Sequence, residues 1–125
     1  MTEQRSLIIL KPDAIHRNLF ADFCQFLKIR NLEIAEYSMI KSPDPRRINE
    51  HYAEHVDKDW YPELFRYMHG GPIIVIAVYG NVKYIREECM NYRNSHKLNE
   101  RYYTVHSSDS EEAAERELKI WGMYP

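Results

Sequence analysis

Three features of the sequence predict an α+β domain built on a four-stranded antiparallel sheet. Two unbroken apolar runs, Ser6-Leu7-Ile8-Ile9-Leu10 and Ile73-Ile74-Val75-Ile76-Ala77-Val78-Tyr79, have the pattern of buried central strands. Segments with apolar residues at helical spacing separate the strand segments and follow the last of them, in the order β-α-β-α-α-β-α-β-α. Neither a second composition regime nor an internal repeat divides the 125 residues, so one domain, 1–125, is enough. A ferredoxin-like split βαβ sandwich is the natural solution, with helices on one face and the first and third strands central.

Each element has its own signal. The first strand ends at Lys11-Pro12-Asp13, where proline cannot continue a ladder. A lysine at that strand end either points into a cleft or is an ordinary solvated cation. Phe20, Phe23, Cys24 and Leu27 recur at helical spacing, predicting an amphipathic helix over about residues 19–30. A looser alternation through Leu32, Ile34, Met39 and Ile40 reads as a second strand, about 32–41, broken by Ser42-Pro43-Asp44-Pro45. Asp44 caps a helix whose first position is Pro45 and which runs to about residue 56. His51 and His55 stand four apart on it; without a third ligand in sequence, they read as an exposed helix face. Leu64, Phe65 and Met68 face inward from a short helix that Gly70-Gly71-Pro72 stops. After Gly80 a further helix is expected over about 82–91, with Val82, Ile85 and Cys89 on one side and Arg86 beside them. Residues 92–101 are polar, charged and without periodicity, and read as a loop.

Composition excludes several function classes. Hydrophobic residues make up 44% of the chain, too many for a disordered protein. The formal net charge of -2 provides no basic field for nucleic acid or an anionic membrane. Two cysteines, Cys24 and Cys89, are too few for a disulfide framework or a zinc site. No signal peptide is evident and no apolar run reaches membrane-spanning length, so a reducing, cytoplasmic compartment is expected.

The last part of the chain carries the chemistry. Tyr102-Tyr103-Thr104-Val105 favours a short strand, and the residues after His106 read as a helix start. Ser108 with Glu111 forms a capping box, and Asp109 with Glu112 offers a second frame for it. Ala113, Ala114, Leu118 and Trp121 form an apolar face. Glu117 sits on that face, and an inward carboxylate needs a partner. A histidine thus lies between a strand end and a helix start, with a carboxylate leaning towards the same interior.

Taken together, Ile8-Ile9-Leu10-Lys11-Pro12-Asp13-Ala14, His51-Tyr52-Ala53-Glu54-His55, Tyr67-Met68 with Gly71-Pro72, and His106-x-Ser108-Asp109-Ser110 with Glu117 and Trp121 resemble the nucleoside diphosphate kinase family, in order and at family-like spacing. That resemblance implies transfer of the terminal phosphoryl group of a nucleoside triphosphate to a nucleoside diphosphate, by a ping-pong route through a phosphohistidine on His106. It implies that Glu117 holds the imidazole, with Ser108 in the same hydrogen-bonded group. Lys11 and Tyr52 match residues at the phosphates and sugar, Arg86 a phosphate-binding arginine, and Trp60, with Leu64 next to it, the position where the base stacks. Mg²⁺ is expected to arrive on the nucleotide phosphates without a dedicated protein cage.

The resemblance also has departures. Tyr103 stands where the family has a ribose-touching asparagine, and Ser107 where it has a glycine. The segment between Arg86 and His106 is shorter than in the family by about ten residues, on the loop lengths usual in such folds. It lacks the loop that carries a threonine and a second arginine; Arg93 or Arg101 could replace the arginine, and Asn99 the asparagine. The tail, ending at Tyr124-Pro125, is short as well. Loop and tail contribute subunit contacts in family hexamers, so a homo-oligomer is expected, a dimer or an assembly of dimers. The alternative reading is a catalytically impaired nucleotide-binding or interaction domain of the same fold.

Overall fold

The computed structural model describes residues 4–96 and 104–123. Four strands, β1 (Arg5–Leu10), β2 (Glu33–Ile40), β3 (Ile73–Tyr79) and β4 (Val105–Ser107), form one sheet in the order β2-β3-β1-β4. Every pairing is antiparallel, and β1 and β3 are central as expected. Among the described residues six α-helices accompany them: α1 (Pro12–His16), α2 (Phe20–Ile29), α3 (Pro45–His51), α4 (Tyr61–Gly70), α5 (Val82–His96) and α6 (Glu111–Ile120).

The helices cover both faces of the sheet rather than one. Leu7, Ile9, Val75 and Ala77 pack with Ile48 of α3, Met68 of α4 and Leu118 of α6. Their alternates Ile8, Leu10, Ile74, Ile76 and Val78 pack with Ala14 of α1, Phe23 and Leu27 of α2, and Ile85 and Cys89 of α5. Side chains alternate across a strand, so a strand covered on both faces must be apolar at every position. That is why β1 and β3 read as unbroken runs. Each fully buried isoleucine or leucine contributes about 1.5–3 kcal/mol, which makes these two strands the main store of stability.

Local signals set most boundaries. Asp44 caps α3 by accepting from the Arg46 amide at 2.9 Å, with Pro45 at the first position. The left-handed residues Asn18, Asn31 and Gly122 each follow a helix, α1, α2 and α6 respectively. At each of them the next amide bonds back five residues, as Leu32 does to the Leu27 carbonyl at 3.0 Å, satisfying the helix end.

Four further expectations are corrected. Pro12 starts the short helix α1 instead of only ending a strand. The helix from Pro45 stops at His51, and a 3₁₀ turn, Ala53–His55, follows it. α5 runs to His96, because Tyr92 continues the stripe of Val82, Ile85 and Cys89 and its hydroxyl donates to Asp22 at 2.8 Å. Residues 92–96 are therefore helix rather than loop. His106 lies inside β4, paired with Ile9, rather than after the last strand, while Tyr102 and Tyr103 of the expected strand lie outside the described residues; α6 is capped by Ser110, whose Oγ accepts from the Ala113 amide at 3.0 Å.

Gly71 couples α4 to β3 through a close approach. Its φ is +49°, and a Cβ placed there would lie 2.3 Å from the Lys41 carbonyl oxygen. Nothing lies within 4 Å of a Cβ on Gly70, its helical neighbour. Gly71→Ala should destabilise the fold by about 3 kcal/mol, whereas Gly70→Ala should be neutral or stabilise by up to about 1 kcal/mol. Urea midpoints of the two variants provide the check; equal midpoints would show that the α4–β3 corner relaxes freely.

Candidate active site

His106 opposes Ile9 across the β1–β4 ladder, so it stands on the face covered by α3, α4 and α6. Lys11 continues the Leu7–Ile9 alternation onto that face, one residue beyond β1, and its amide donates to the Thr104 carbonyl at 3.0 Å. α3 delivers His51 and Tyr52 at its C-terminal end, and α6 delivers Glu117. Arg86 and Arg93, two turns apart on α5, reach the site past the edge strand; Arg86 Nη1 donates to the Ser107 carbonyl at 2.9 Å. Together these residues line a cavity of about 230 Å³.

Glu117 organises its floor. The carboxylate is 5% exposed, and its Oε1 accepts from Ser108 Oγ at 2.7 Å and from His106 Nε2 at 2.9 Å. Ser108 Oγ accepts in turn from the Leu7 amide of β1 at 3.1 Å. Ser108 is thus committed to this network and not to capping α6. With Nε2 donating to Glu117, His106 keeps an unprotonated Nδ1.

The charge around His106 is positive. Burial, followed by Lys11, Arg86 and Arg93, pushes its pKa down to about 3. The ring is neutral at physiological pH. Burial, then Arg93, lowers Lys11 to about 8, with Asp13 opposing. Burial and the Glu117 charge push the Tyr52 phenol upwards, so it stays protonated. Tyr52 Oη and His51 Nε2 are both buried without a hydrogen-bond partner among the described residues. A buried polar group left unmade costs about 1–3 kcal/mol, and cationic walls with unmet donors are the lining a multiply charged anion would satisfy.

His51, His106 and Glu117 place ligating atoms within 4.8 Å of one another. His106 and Glu117 are engaged with each other, however, and Lys11, Arg86, Arg93 and Arg116 line the same cavity. A hard cation that prefers oxygen ligands finds no oxygen cage among these described residues.

Among the expected residues, Lys11, Tyr52, Arg86, Arg93, His106 and Glu117 meet in the cavity. Ser108 supports it from behind. Trp60 and Leu64 do not line it: Leu64 packs against the core, and Trp60 is 42% exposed at the start of α4. The Trp60 ring lies 5.3 Å from that of His55, which does line the cavity, so Trp60 sits near its mouth. Tyr103, Arg101 and Asn99 lie outside the described residues. His51, expected on an exposed face, is 5% exposed, and the Trp121 indole donates to its Nδ1 at 3.1 Å. Only the aromatic context of Trp121, seventy residues away, could have revealed that. Glu54 and Arg116 also line the cavity, and neither was singled out from the sequence as a site residue.

Comparison with known proteins bears on the family of the chain. The family profile described as nucleoside diphosphate kinase matches residues 4–122. A nucleoside diphosphate kinase of Nocardioides is 33% identical, covering 94% of this chain and 95% of the relative. One from Rhodopirellula baltica is 31% identical over 94% of this chain and 85% of the relative. Among solved structures, the Aquifex aeolicus nucleoside diphosphate kinase superposes with a TM-score of 0.84 at 24% identity, covering 96% of this chain and 95% of that one. A halophilic one from Halobacterium salinarum, in complex with CDP, gives 0.81 at 24% identity, covering 96% and 88%. These likenesses extend over the sheet, the helices and the segment bearing His106, and the chain belongs to the nucleoside diphosphate kinase family.

Proposed function

We propose that this enzyme's nucleoside triphosphate:nucleoside diphosphate phosphoryl transfer runs through His106. The observation that carries the assignment is the hydrogen bond from His106 Nε2 to the buried Glu117, which leaves Nδ1 as the nucleophile within a cationic cavity. The Nδ1 lone pair forms a bond to the terminal phosphorus as the bond from phosphorus to the bridging oxygen breaks. The nucleoside diphosphate leaves with that electron pair. Glu117 balances the positive charge that the ring acquires, and Ser108 keeps the carboxylate in place. A second diphosphate then reverses the step.

Most of the barrier in such a transfer is lowered by positioning and by charge on the transferring oxygens. Lys11, Arg86 and Arg93 supply cations, and Tyr52 a donor, around His106. Mg²⁺ bound to the nucleotide would offset phosphate charge and fix the polyphosphate geometry. Trp60, near the mouth, offers a face on which any nucleobase can stack, with Leu64 behind it; such stacking discriminates weakly among bases. Tyr103 is proposed at the ribose. No helix among the described residues is long and apolar enough to cross a membrane. The free thiols of Cys24 and Cys89 suit a reducing compartment such as the cytoplasm.

Incubation with γ-labelled ATP tests the nucleophile. Wild type should take up acid-labile, base-stable label and pass it to a second diphosphate. His106→Ala should fold normally and lose both. Label persisting in that variant would move the chemistry to another side chain.

Lys11 sets the alkaline limit. A lysine lowered to about 8 carries its charge below that pH and loses it above. kcat/KM should therefore stay level through neutrality and fall by about tenfold per pH unit above about 8. His106, near 3, adds no acid limb in the neutral range. Lys11→Arg, charged throughout, should flatten the alkaline limb; an unaltered limb would assign it to another group.

Members of this family are generally oligomeric, and we propose a dimer as the unit for this chain. β2 is an edge strand, and Tyr37 and Met39 on it are each 58% exposed, with Phe20 of α2 against Tyr37 at 5.2 Å between ring centroids. Pairing with a symmetry mate would cover both the open ladder and these side chains. Light scattering at micromolar concentration should give twice the 15.1 kDa chain mass. A monomer would refute the edge-strand argument, and a stable six-fold mass would show that other surfaces join the dimers.

A further inference from the structure

His51 sits beside the nucleophile with one nitrogen committed and the other unmet. The Trp121 indole donates to its Nδ1 at 3.1 Å. An indole N–H can only donate, so Nδ1 must be unprotonated and the ring proton must be on Nε2. That Nε2–H is buried and has no hydrogen-bond partner among the described residues. The ring meets that of His106 nearly at right angles, with centroids 4.5 Å apart, and it lines the same cavity. Trp121 is itself 3% exposed, in the core cluster with Leu118 and Met123, so the ring is held from behind. The available group is thus a proton donor, not a lone pair, and the neighbouring Lys11, Arg86, Arg93 and Arg116 draw an anion to it.

We propose that His51 is a further catalytic residue of this chain, donating its Nε2–H to a phosphoryl oxygen as the group moves onto His106 and while it rests there. The proposal rests on His106 being the nucleophile. His51 gives a hydrogen bond and transfers no proton; the bonds made and broken are those of the transfer itself. Trp121 acts as a positioning residue, because its indole selects the tautomer that can donate. The donor is worth most where charge shifts on the transferring oxygens, so its loss should slow phosphorylation more than it weakens nucleotide binding.

The test combines rapid-quench phosphorylation by ATP with ¹⁵N NMR of the histidine rings. His51→Leu removes the donor, whereas the amide of His51→Gln can reach towards the Nε2 position. We expect His51→Leu to slow phosphorylation by about 10²–10³-fold, the usual effect of losing one such donor. KM for ATP should change little, and His51→Gln should recover most of the rate. Trp121→Phe should fall between, with both His51 tautomers present in its spectrum. In wild type the His51 Nε2–H should be visible, with its proton signal moving downfield when His106 is phosphorylated. An unmoved signal overturns the proposal even if a variant fails to fold. Equal rates for Leu and Gln, or a loss confined to KM, also overturn it and leave His51 a packing residue. Wild type that takes up no label overturns the reading of His106 itself, and this one with it.

Discussion

The site depends on a single buried carboxylate oxygen. Glu117 Oε1 receives the Ser108 hydroxyl and the His106 ring together, and Ser108 receives the Leu7 amide. A charge withdrawn from water costs several kcal/mol unless its hydrogen bonds are remade, so this oxygen forces three elements into register. β1 supplies Leu7, the β4 end supplies His106 and Ser108, and α6 supplies the carboxylate. One turn beyond Glu117, Trp121 holds His51 in place. The rigid central strand thus transmits its position to His106 through three successive hydrogen bonds.

Around that oxygen the cations Lys11, Arg86, Arg93 and Arg116 share the cavity lining with Glu54 and Asp109. Burial holds His106 neutral, and the cations Lys11, Arg86 and Arg93 push in the same direction. Those cations repel one another as well, and Lys11 is lowered by burial and by Arg93. Their mutual repulsion is eased by a polyphosphate bound among them. On the proposed assignment these charges stand where the transferring group needs them, and little reorganisation remains for the reaction. Local rules are violated at this site and nowhere to the same extent in the two cores, which are consistent from propensity to packing.

That contrast explains what could be read from the sequence. β1 and β3 were legible because burial on both faces leaves an unbroken apolar run, and α3 because Asp44 and Pro45 act within one turn. The start of α6 was not, since Ser108 with Glu111 and Asp109 with Glu112 both satisfy the capping-box pattern while Ser110, followed three places on by Ala113, does not. A tertiary bond decides among them: Ser108 is drawn to Glu117 and Leu7, and Ser110 is left to cap. His51 failed for a related reason. The i, i+4 pairing with His55 presumes a continuous helix, yet α3 ends at His51, and the following turn is 3₁₀. The two rings then take different environments, one beneath Trp121 and the other beside Trp60. Glu117 was legible as an anomaly, because an acid on an apolar stripe demands a partner even when the partner cannot be named.

The extension of α5 bears on how the cations are held. Its buried stripe continues through Tyr92, so the helix remains anchored against Phe23 and Phe26 of α2 well beyond Cys89. Arg93 follows directly and, seven residues from Arg86, emerges on the same side towards the cavity. A guanidinium presented by a packed helix loses less conformational freedom on meeting an anion than one carried on a mobile loop. Arg86 and Arg93 thus both reach the cavity from one packed helix. Tyr92 thereby links core packing to the charge at the site: the aromatic contacts that lengthen α5 also fix where Arg93 stands.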